Sequence, residues 1–438
     1  MKATLATKRN ALSRQRPVGL LDRIAQQAVL QRLRHISFGS LLIHDDQEVH
    51  QFGGGAHDGL HATIVVNDPC FYRQIAFAGT IGAGEAYMDG HFECSNLTAA
   101  VRLLLRNRQV LDGMDSSVTR ITAPLHKAFH WLHRNTRSGS ERNIAAHYDL
   151  GNELFELFLD ETMMYSGAIF EKPDASLHDA SLTKLDRICR KLDLRPDDHV
   201  VEIGTGWGGF AVHAATRYGC RVTTTTISKA QHEFTSRKIR KAGLSDRVTV
   251  LLKDYRDLTG SYDKLVSIEM IEAIGHQYLD TYFEKCSGLL KPSGMLLLQA
   301  ITIADQRYEA AKGSVDFIQR YIFPGSFIPS VSAMTQAIAR STDMRLFHLE
   351  DIGPHYATTL RHWRERFGQR LSRVRELGYP ESFIRMWEFY LCYCEGGFLE
   401  RAIGDAQLLL IKPGCRREPI TSALDSSDRY CVHQPSLS

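Results

Sequence analysis

Three groups of residues in this 438-residue chain have types and spacings that could do chemistry. The first is Glu202-Ile203-Gly204-Thr205-Gly206-Trp207-Gly208-Gly209-Phe210, where an apolar run ends in an acid and is followed by closely spaced glycines. Such a loop lets the backbone turn tightly and approach a ligand, so it reads as the opening of a nucleotide-type pocket. Its spacing is not that of the dinucleotide fingerprint, whose third glycine comes three residues after the second. The second group is Glu269 and Glu272, at i and i+3 in Ser267-Ile268-Glu269-Met270-Ile271-Glu272. Two acids among apolar residues could face a cationic intermediate. Helix capping and salt bridging is the stronger reading for Glu269 and the weaker one for Glu272. The third group, His126, His130 and His133, shares one helical face. With no neighbouring carboxylate or cysteine and no H-E-x-x-H pattern, it reads as a surface linker helix, and no metal is expected.

Around these groups the sequence lays out the elements that must position them. From 199 onward strands and helices alternate: strand 199 to 203, helix from Trp207, strand 221 to 227, helix 228 to 242, strands 247 to 252 and 263 to 268, helix 276 to 289, strand 295 to 303. That pattern specifies an α/β fold with a doubly wound parallel sheet, whose ligands sit at the carboxyl ends of the strands. The glycine loop, Ser228, Asp254-Tyr255 and the two glutamates all fall there. Residues 304 to 340 break the pattern with an aromatic insertion (Phe317, Tyr321, Phe323, Phe327) that is expected to roof the pocket. Two helices, near 358 to 377 and 380 to 400, and a strand, Ala406 to Ile411, complete this part.

The loop spacing matches the first motif of S-adenosylmethionine (SAM) methyltransferases. Gly204, Gly206, Gly208 and Gly209 would give the donor room, and Glu202 could hold its ammonium group. Ribose is usually bound by an acid closing the second strand. Here that strand ends Thr224-Thr225-Thr226-Ile227-Ser228, and Gln231 is the available substitute. Asp254 suits the adenine amino group and Tyr255 the ring face. The Asn/Asp-Pro-Pro-aromatic run expected of a nucleic-acid amino-methyltransferase is replaced by the two-glutamate segment, so nucleic acid is not the expected partner.

Composition, with 43% apolar and 24% charged residues, is that of an ordinary globular chain with room for two or three domains. Nine scattered cysteines without a C-x-x-C pair argue against a disulfide framework and for a reducing cytoplasm. No apolar run reaches the roughly 18 residues of a membrane span. Residues 1 to 40 hold eight Lys/Arg against one acid, Asp22, a balance that suits an anionic membrane surface or a solvated tail equally. The organisation reads as a basic flexible arm (1–16), a small N-terminal α+β domain (17–112), a linker (113–142), the methyltransferase domain (143–414) and a flexible tail (415–438). Residues 20 to 36 read as an amphipathic helix, which can dock on its own domain or lie at a membrane interface.

With these residues in view, the chain resembles the cyclopropane fatty-acid synthase family, including the mycolic-acid cyclopropane synthases. The blocks that carry the likeness run from about residue 60 to 412: Gly84-Glu85-Ala86-Tyr87-Met88-Asp89-Gly90, Ala146-His147-Tyr148-Asp149-Leu150-Gly151-Asn152, Gly206-Trp207-Gly208-Gly209, Thr226-Ile227-Ser228, Asp254-Tyr255-Arg256-Asp257, Tyr321-Ile322-Phe323-Pro324 and Pro329-Ser330. The resemblance implies SAM-dependent methylene addition across a cis double bond of a phospholipid acyl chain. It also implies that the N-terminal domain (17–112) engages lipid or membrane and that the enzyme is often a homodimer. With the cysteine usage and the lack of a long apolar run, the expected place is the cytoplasm, peripheral on the inner face of the membrane. Tyr165-Ser166, the Glu202 to Gly209 loop, Thr226, Gln231 and Asp254-Tyr255 would hold SAM. Glu272 and Tyr356 would belong to a bicarbonate site that serves as the base, and Cys394 falls where the family has a cysteine long described as active. Tyr321, Phe323 and Phe317 would line the substrate site, and Tyr321, Phe323 and Tyr356, with Glu272, would stabilise a carbocation.

This sequence departs from the family pattern at two positions. Where the family has Tyr-Ser-Cys the chain reads Tyr165-Ser166-Gly167, and where a histidine follows the fifth strand's leucines it reads Leu298-Gln299. Two bicarbonate partners are thereby replaced, by a residue offering only backbone and by an amide. The expected product divides accordingly: a cyclopropane fatty acid, or a methyl-branched or methylated unsaturated chain. A non-catalytic lipid-binding relative is the remote third reading.

Overall fold

The structure, a computed structural model, describes residues 19–46, 48–54, 59–108 and 150–420. The basic arm, the histidine trio and residues 146 to 149 lie outside them.

The N-terminal part is a four-stranded sheet with three helices: α1 (Leu20–Leu33), β1 (Ser40–Asp45), β2 (Glu48–Gly53), β3 (His61–Val66), α2 (Cys70–Met88), β4 (Phe92–Cys94) and α3 (Leu97–Arg106). Its order is β2-β1-β3-β4, with β1 and β3 parallel. In α1, Ala25, Val29 and Leu33 recur at i, i+4 and i+8 and are buried, while Leu20 and Leu21 are 76% and 60% exposed. The apolar residues of this helix are therefore divided between core and surface. α2 is broken at Gly79, whose backbone (φ 53°, ψ −127°) no helix continues through.

The second part runs α4 (Asn152–Phe158), α5 (Leu177–Lys191), β5 (His199–Ile203), α6 (Gly209–Tyr218), β6 (Arg221–Thr226), α7 (Lys229–Lys241), β7 (Val248–Leu252), β8 (Tyr262–Ile268), α8 (Leu279–Gly288) and β9 (Leu290–Ile303). It continues through α9 (Asp305–Lys312), a π turn (Ile318–Ile322), α10 (Val331–Ser341), β10 (Arg345–Asp351), α11 (Gly353–Gln369), α12 (Leu371–Glu376), α13 (Glu381–Leu399) and β11 (Ile403–Ile411). The sheet order is β10-β11-β9-β8-β5-β6-β7. β5 to β9 are parallel, as expected, and nearly continuously apolar or β-branched because helices cover both faces. The all-parallel expectation is corrected at one edge. β11 lies antiparallel between β9 and β10, and β10 itself has no counterpart in the sequence reading. β10 is an edge strand of mixed polarity, so it lacks the alternation that marks a half-buried strand. The helix after the glycine loop starts at Gly209 rather than Trp207, and the helix expected over 358 to 377 is two, α11 and α12.

The two parts share one core that meets along α13. Glu388 accepts the Tyr87 hydroxyl at 2.9 Å, Glu395 accepts from Thr98, and Glu400 binds Arg102 and Arg106 at 2.6 and 2.7 Å. The insertion is fixed to α2 as well. Tyr321 donates to Glu85 at 2.5 Å, and the Phe317 ring fills the place of the missing Gly84 side chain. At the other end Cys415 and Ile420 pack on the core, so the chain stays in contact with the fold for several residues past 414.

Candidate active site

The strand order reverses between β5 and β8, and the carboxyl ends of those neighbours open onto a cavity of about 1190 Å³. Its wall includes Tyr165, Ser166, Glu202, Gly204 and Gly206, and further on Thr226, Gln231, Asp254 and Tyr255. Gly204 and Gly206 have φ of 95° and 52°, where a side chain is strained, and a Cβ on Gly206 would enter open space. Gly208 and Gly209 serve a different purpose from the one expected. They are packing glycines, since a Cβ would meet Thr235 at 2.8 Å and Met164 Sδ at 2.5 Å respectively. Trp207 Nε1 donates to Asn152 at 2.8 Å, tying the loop to α4.

Glu202 is buried, and its Oε2 is without a hydrogen-bond partner. Burial pushes its carboxyl up to about 8, against the pull of Thr224 and Lys184. An orphaned carboxylate beside an open glycine cradle fits a cationic ligand with an ammonium group, and so fits SAM. Around it, the Thr226 hydroxyl donates to Gln231 Oε1 at 2.8 Å. Asp254 is engaged by the Arg256 guanidinium at 2.9 and 2.6 Å, an ion pair the sequence reading did not foresee. Tyr165 stands among Trp207, Phe323 and Trp363, with its hydroxyl 2.9 Å from that of Tyr390.

Beside the donor site lies a buried polar cluster. Glu269 Oε1 accepts from the Gly167 N–H at 2.8 Å and from Gln299 Nε2 at 2.9 Å, and its Oε2 accepts from the Tyr356 hydroxyl at 2.7 Å. The same Gln299 nitrogen donates to Asp405 Oδ2 at 2.9 Å, and Gln299 Oε1 accepts from Gln407 at 3.1 Å. Glu272 Oε1 accepts from the Ile301 N–H at 2.6 Å, and its Oε2 is unpartnered. Burial and the charge of Glu269 push Glu272 up to about 8. Burial and the same charge raise Asp405 well above the usual carboxylate range, with the Glu272 charge adding to the rise and Lys184 opposing it. The Lys184 ammonium is fully buried and donates to Ser166 Oγ at 2.8 Å. Burial lowers it to about 8, while Glu269, Asp405, Asp160 and Glu202 pull it upward.

Gly167, Gln299, Glu272 and Tyr356 are thus brought together, and Glu269 sits at their centre rather than capping a helix. Asp405 and Lys184 are the residues that sequence reasoning missed. The sequence places Glu269 correctly at a strand's carboxyl end, where ligands of such sheets bind, but gives capping as its stronger role. Phe323 lines the cavity, but Phe317 and Tyr321 do not, because their packing against α2 holds them behind the wall. Cys394 is on the wall, but burial and Asp316 raise its thiol far above the range in which a nucleophilic thiolate forms. Bicarbonate does not fit the residues present. The Gly167, Gln299 and Tyr356 donors already serve the Glu269 carboxylate, and Asp405 Oδ2 stands 2.6 Å from where a residue-167 side chain would begin. A further anion beside the Glu269 carboxylate would also meet like charge.

The sheet with its glycine loop and orphaned acid defines a SAM-dependent methyltransferase. Residues 135–408 match the family described as mycolic acid cyclopropane synthetase, and the chain belongs to it. It is 38% identical over 379 residues to the tuberculostearic acid methyltransferase UfaA1 of Mycobacterium tuberculosis, covering 82% of this chain and 86% of that protein. It is 37% identical over 350 residues to the cyclopropane-fatty-acyl-phospholipid synthase of Escherichia coli strain K12, covering 78% and 86%. The structure of mycolic acid cyclopropane synthase CmaA1 complexed with SAH and CTAB superposes with a TM-score of 0.58 at 28% identity, covering 62% of this chain and 98% of that one. The protein is therefore a lipid-modifying methyltransferase of the cyclopropane synthase type, with SAM as its methyl donor.

Proposed function

We propose that the protein methylates the cis double bond of an unsaturated phospholipid acyl chain at a membrane surface, and that the reaction closes to a cyclopropane. One observation carries this reading. The cavity that begins at Glu202 continues without interruption into the N-terminal part, where Val29, Leu33, Ile43, Ile64 and Phe71 form its wall. An apolar channel of that size suits an acyl chain. Its exposed wall residues, Phe77 on α2 and Arg320 on the insertion, offer an apolar and a cationic contact to a lipid surface. Arg307 and Lys312 add positive charge on the same wall. No helix among the described residues is long and apolar enough to cross a membrane.

SAM supplies an electrophilic methyl group on a sulfonium. The chain's residues must then bring a weakly nucleophilic alkene in line with that methyl, in a site without water, where positioning supplies much of the rate. Attack leaves a cation on the neighbouring carbon of the lipid. The rings of Tyr165, Phe323, Tyr356 and Tyr390 line the cavity there, each able to stabilise a desolvated cation by roughly 1 to 2 kcal/mol. A proton must leave for the product to be neutral.

A second reading, a methyl-branched or methylated unsaturated chain, is favoured by the altered surroundings of Gly167 and Gln299 and by the likeness to UfaA1. Expression in a host lacking its own synthase tests both. Lipids heavier by one CH2 per modified chain are expected, and their absence rejects the methylation reading. A high-field cyclopropyl proton signal supports ring closure, whereas an olefinic or branched-methyl signal in its place assigns the second product.

A further inference from the structure

We propose that Glu269 is the catalytic base of this enzyme, a carboxylate built into the chain that takes the proton from the transferred carbon without bicarbonate. The inference rests on the methylation reading above. Four observations carry it. Glu269 lines the cavity, on the same wall as Gly204 and Met164 at the donor end and Tyr356 and Ile301 beside them. Its carboxylate accepts from the backbone of residue 167, from Gln299 and from Tyr356, so both positions that depart from the family pattern hold it, together with the retained Tyr356. Its backbone has φ of +48°, a region that favours glycine and that a glutamate occupies only when its surroundings over-determine it. Its Oε2 takes one hydrogen bond against two for Oε1, leaving that oxygen the freer lone pair.

The groups facing Glu269 favour its ionised form against burial. Burial raises its carboxyl, and the Tyr356 hydroxyl, the Gly167 N–H, the Lys184 ammonium and the Gln299 amide all pull against that rise; Glu272 and Asp405 are raised as well, by burial and by the Glu269 charge itself. In the step itself, the alkene electron pair forms the new C–C bond to the methyl carbon. The C–S bond breaks with its pair left on sulfur, and the lipid becomes cationic. Glu269 takes a proton from the transferred methyl. The electrons of that C–H bond close the ring or, if a hydride has first moved to the cationic carbon, form a C=C bond. The charges of the donor sulfonium and the carboxylate cancel, and the carboxylic acid returns its proton to solvent before the next cycle.

The test compares wild type, Glu269→Gln and Glu269→Ala on vesicles of an unsaturated phospholipid, in buffer freed of carbon dioxide and again with added bicarbonate or formate. Wild type is expected to turn over equally with and without bicarbonate. Glu269→Gln should lose about 100-fold or more, the usual worth of a positioned base, while its SAM affinity by calorimetry stays within about twofold. Glu269→Ala leaves the Gly167, Gln299 and Tyr356 donors unpaired, so millimolar formate or bicarbonate should restore a measurable part of its rate. A wild type that requires bicarbonate, or a Glu269→Gln variant that binds SAM and keeps its turnover, overturns the assignment while leaving the methylation reading intact. A wild type that methylates no unsaturated phospholipid overturns that reading, and the assignment with it.

Discussion

The ring of Phe317 lies against the α-carbon of Gly84, with its nearest atom 2.2 Å from where a β-carbon would stand. Residues from the N-terminal part and from the methyltransferase insertion are therefore in direct contact next to the cavity wall formed by Ala83 and Glu85. Gly84→Ala should push the ring out of its place and cost about 1 to 3 kcal/mol, the usual penalty for overpacking a filled core. Thermal denaturation checks the stability. Phospholipid turnover should fall with it, while SAM binding, at the other end of the cavity, should hold.

Glu202 makes donor binding depend on pH. Its carboxyl sits at about 8 in the free protein, so at pH 7 most of it is protonated. A cationic ligand favours the ionised form, and binding should release protons. Calorimetry at pH 7 in buffers of differing ionisation enthalpy should show that release, and SAM affinity should rise with pH until it levels above about 8. Glu202→Gln should abolish both effects and weaken binding.

The same shift has the opposite sign for the free fold. Glu202 and Glu272 are raised from 4.5 to about 8, so the native state holds more protons than the unfolded chain in that window. Stability in the absence of ligand should fall as pH rises from about 5 to 8. Melting temperatures of wild type should show the slope, and Glu202→Gln should flatten it.

Glu272→Gln keeps the acceptor for the Ile301 N–H but places an amide where the unpartnered oxygen faces the lipid cation. Burial holds Glu272 near 8, so its charge reaches the site only as pH approaches that value; the wild-type advantage in turnover over Glu272→Gln should therefore be small at pH 7 and grow toward pH 8, with SAM binding spared. Unchanged turnover across that range would remove Glu272 from the mechanism.

Lys184→Met should be among the most destabilising single changes, by about 3 to 5 kcal/mol, because it leaves the buried Glu269 charge without its cation. Chemical denaturation measures the cost. Any folded fraction should turn over slowly with the lipid KM unchanged.

Removal of residues 1 to 16 tests the basic arm. Binding to anionic vesicles should weaken, and more so at low salt. A longer deletion, through α1, would confuse the result, since Val29 and Leu33 belong to the cavity wall.

Much of this protein is local, and the sequence alone determined that much. The glycine loop between β5 and α6 depends on neighbours in the chain, and so do the apolar runs of β5 to β9 and the Ser228 cap of α7. These sufficed for the α/β class and the methyl donor. The base cluster was illegible for a physical reason. Glu269 meets Gly167, Gln299 and Tyr356 across separations of 102, 30 and 87 residues, and Gln299 meets Asp405 across 106. Glu269 meets Gln299 because β8 runs parallel beside β9, with Ile268 opposite Gln299, and Gln299 meets Asp405 because β11 runs antiparallel beside β9. A glutamate after a strand reads as a cap until the sheet closes around it. Burial then forbids it to stay charged without donors, and the fold supplies them from three distant segments. The methyl donor was thus written in a short stretch of chain, whereas the group that receives the proton was decided only by tertiary structure.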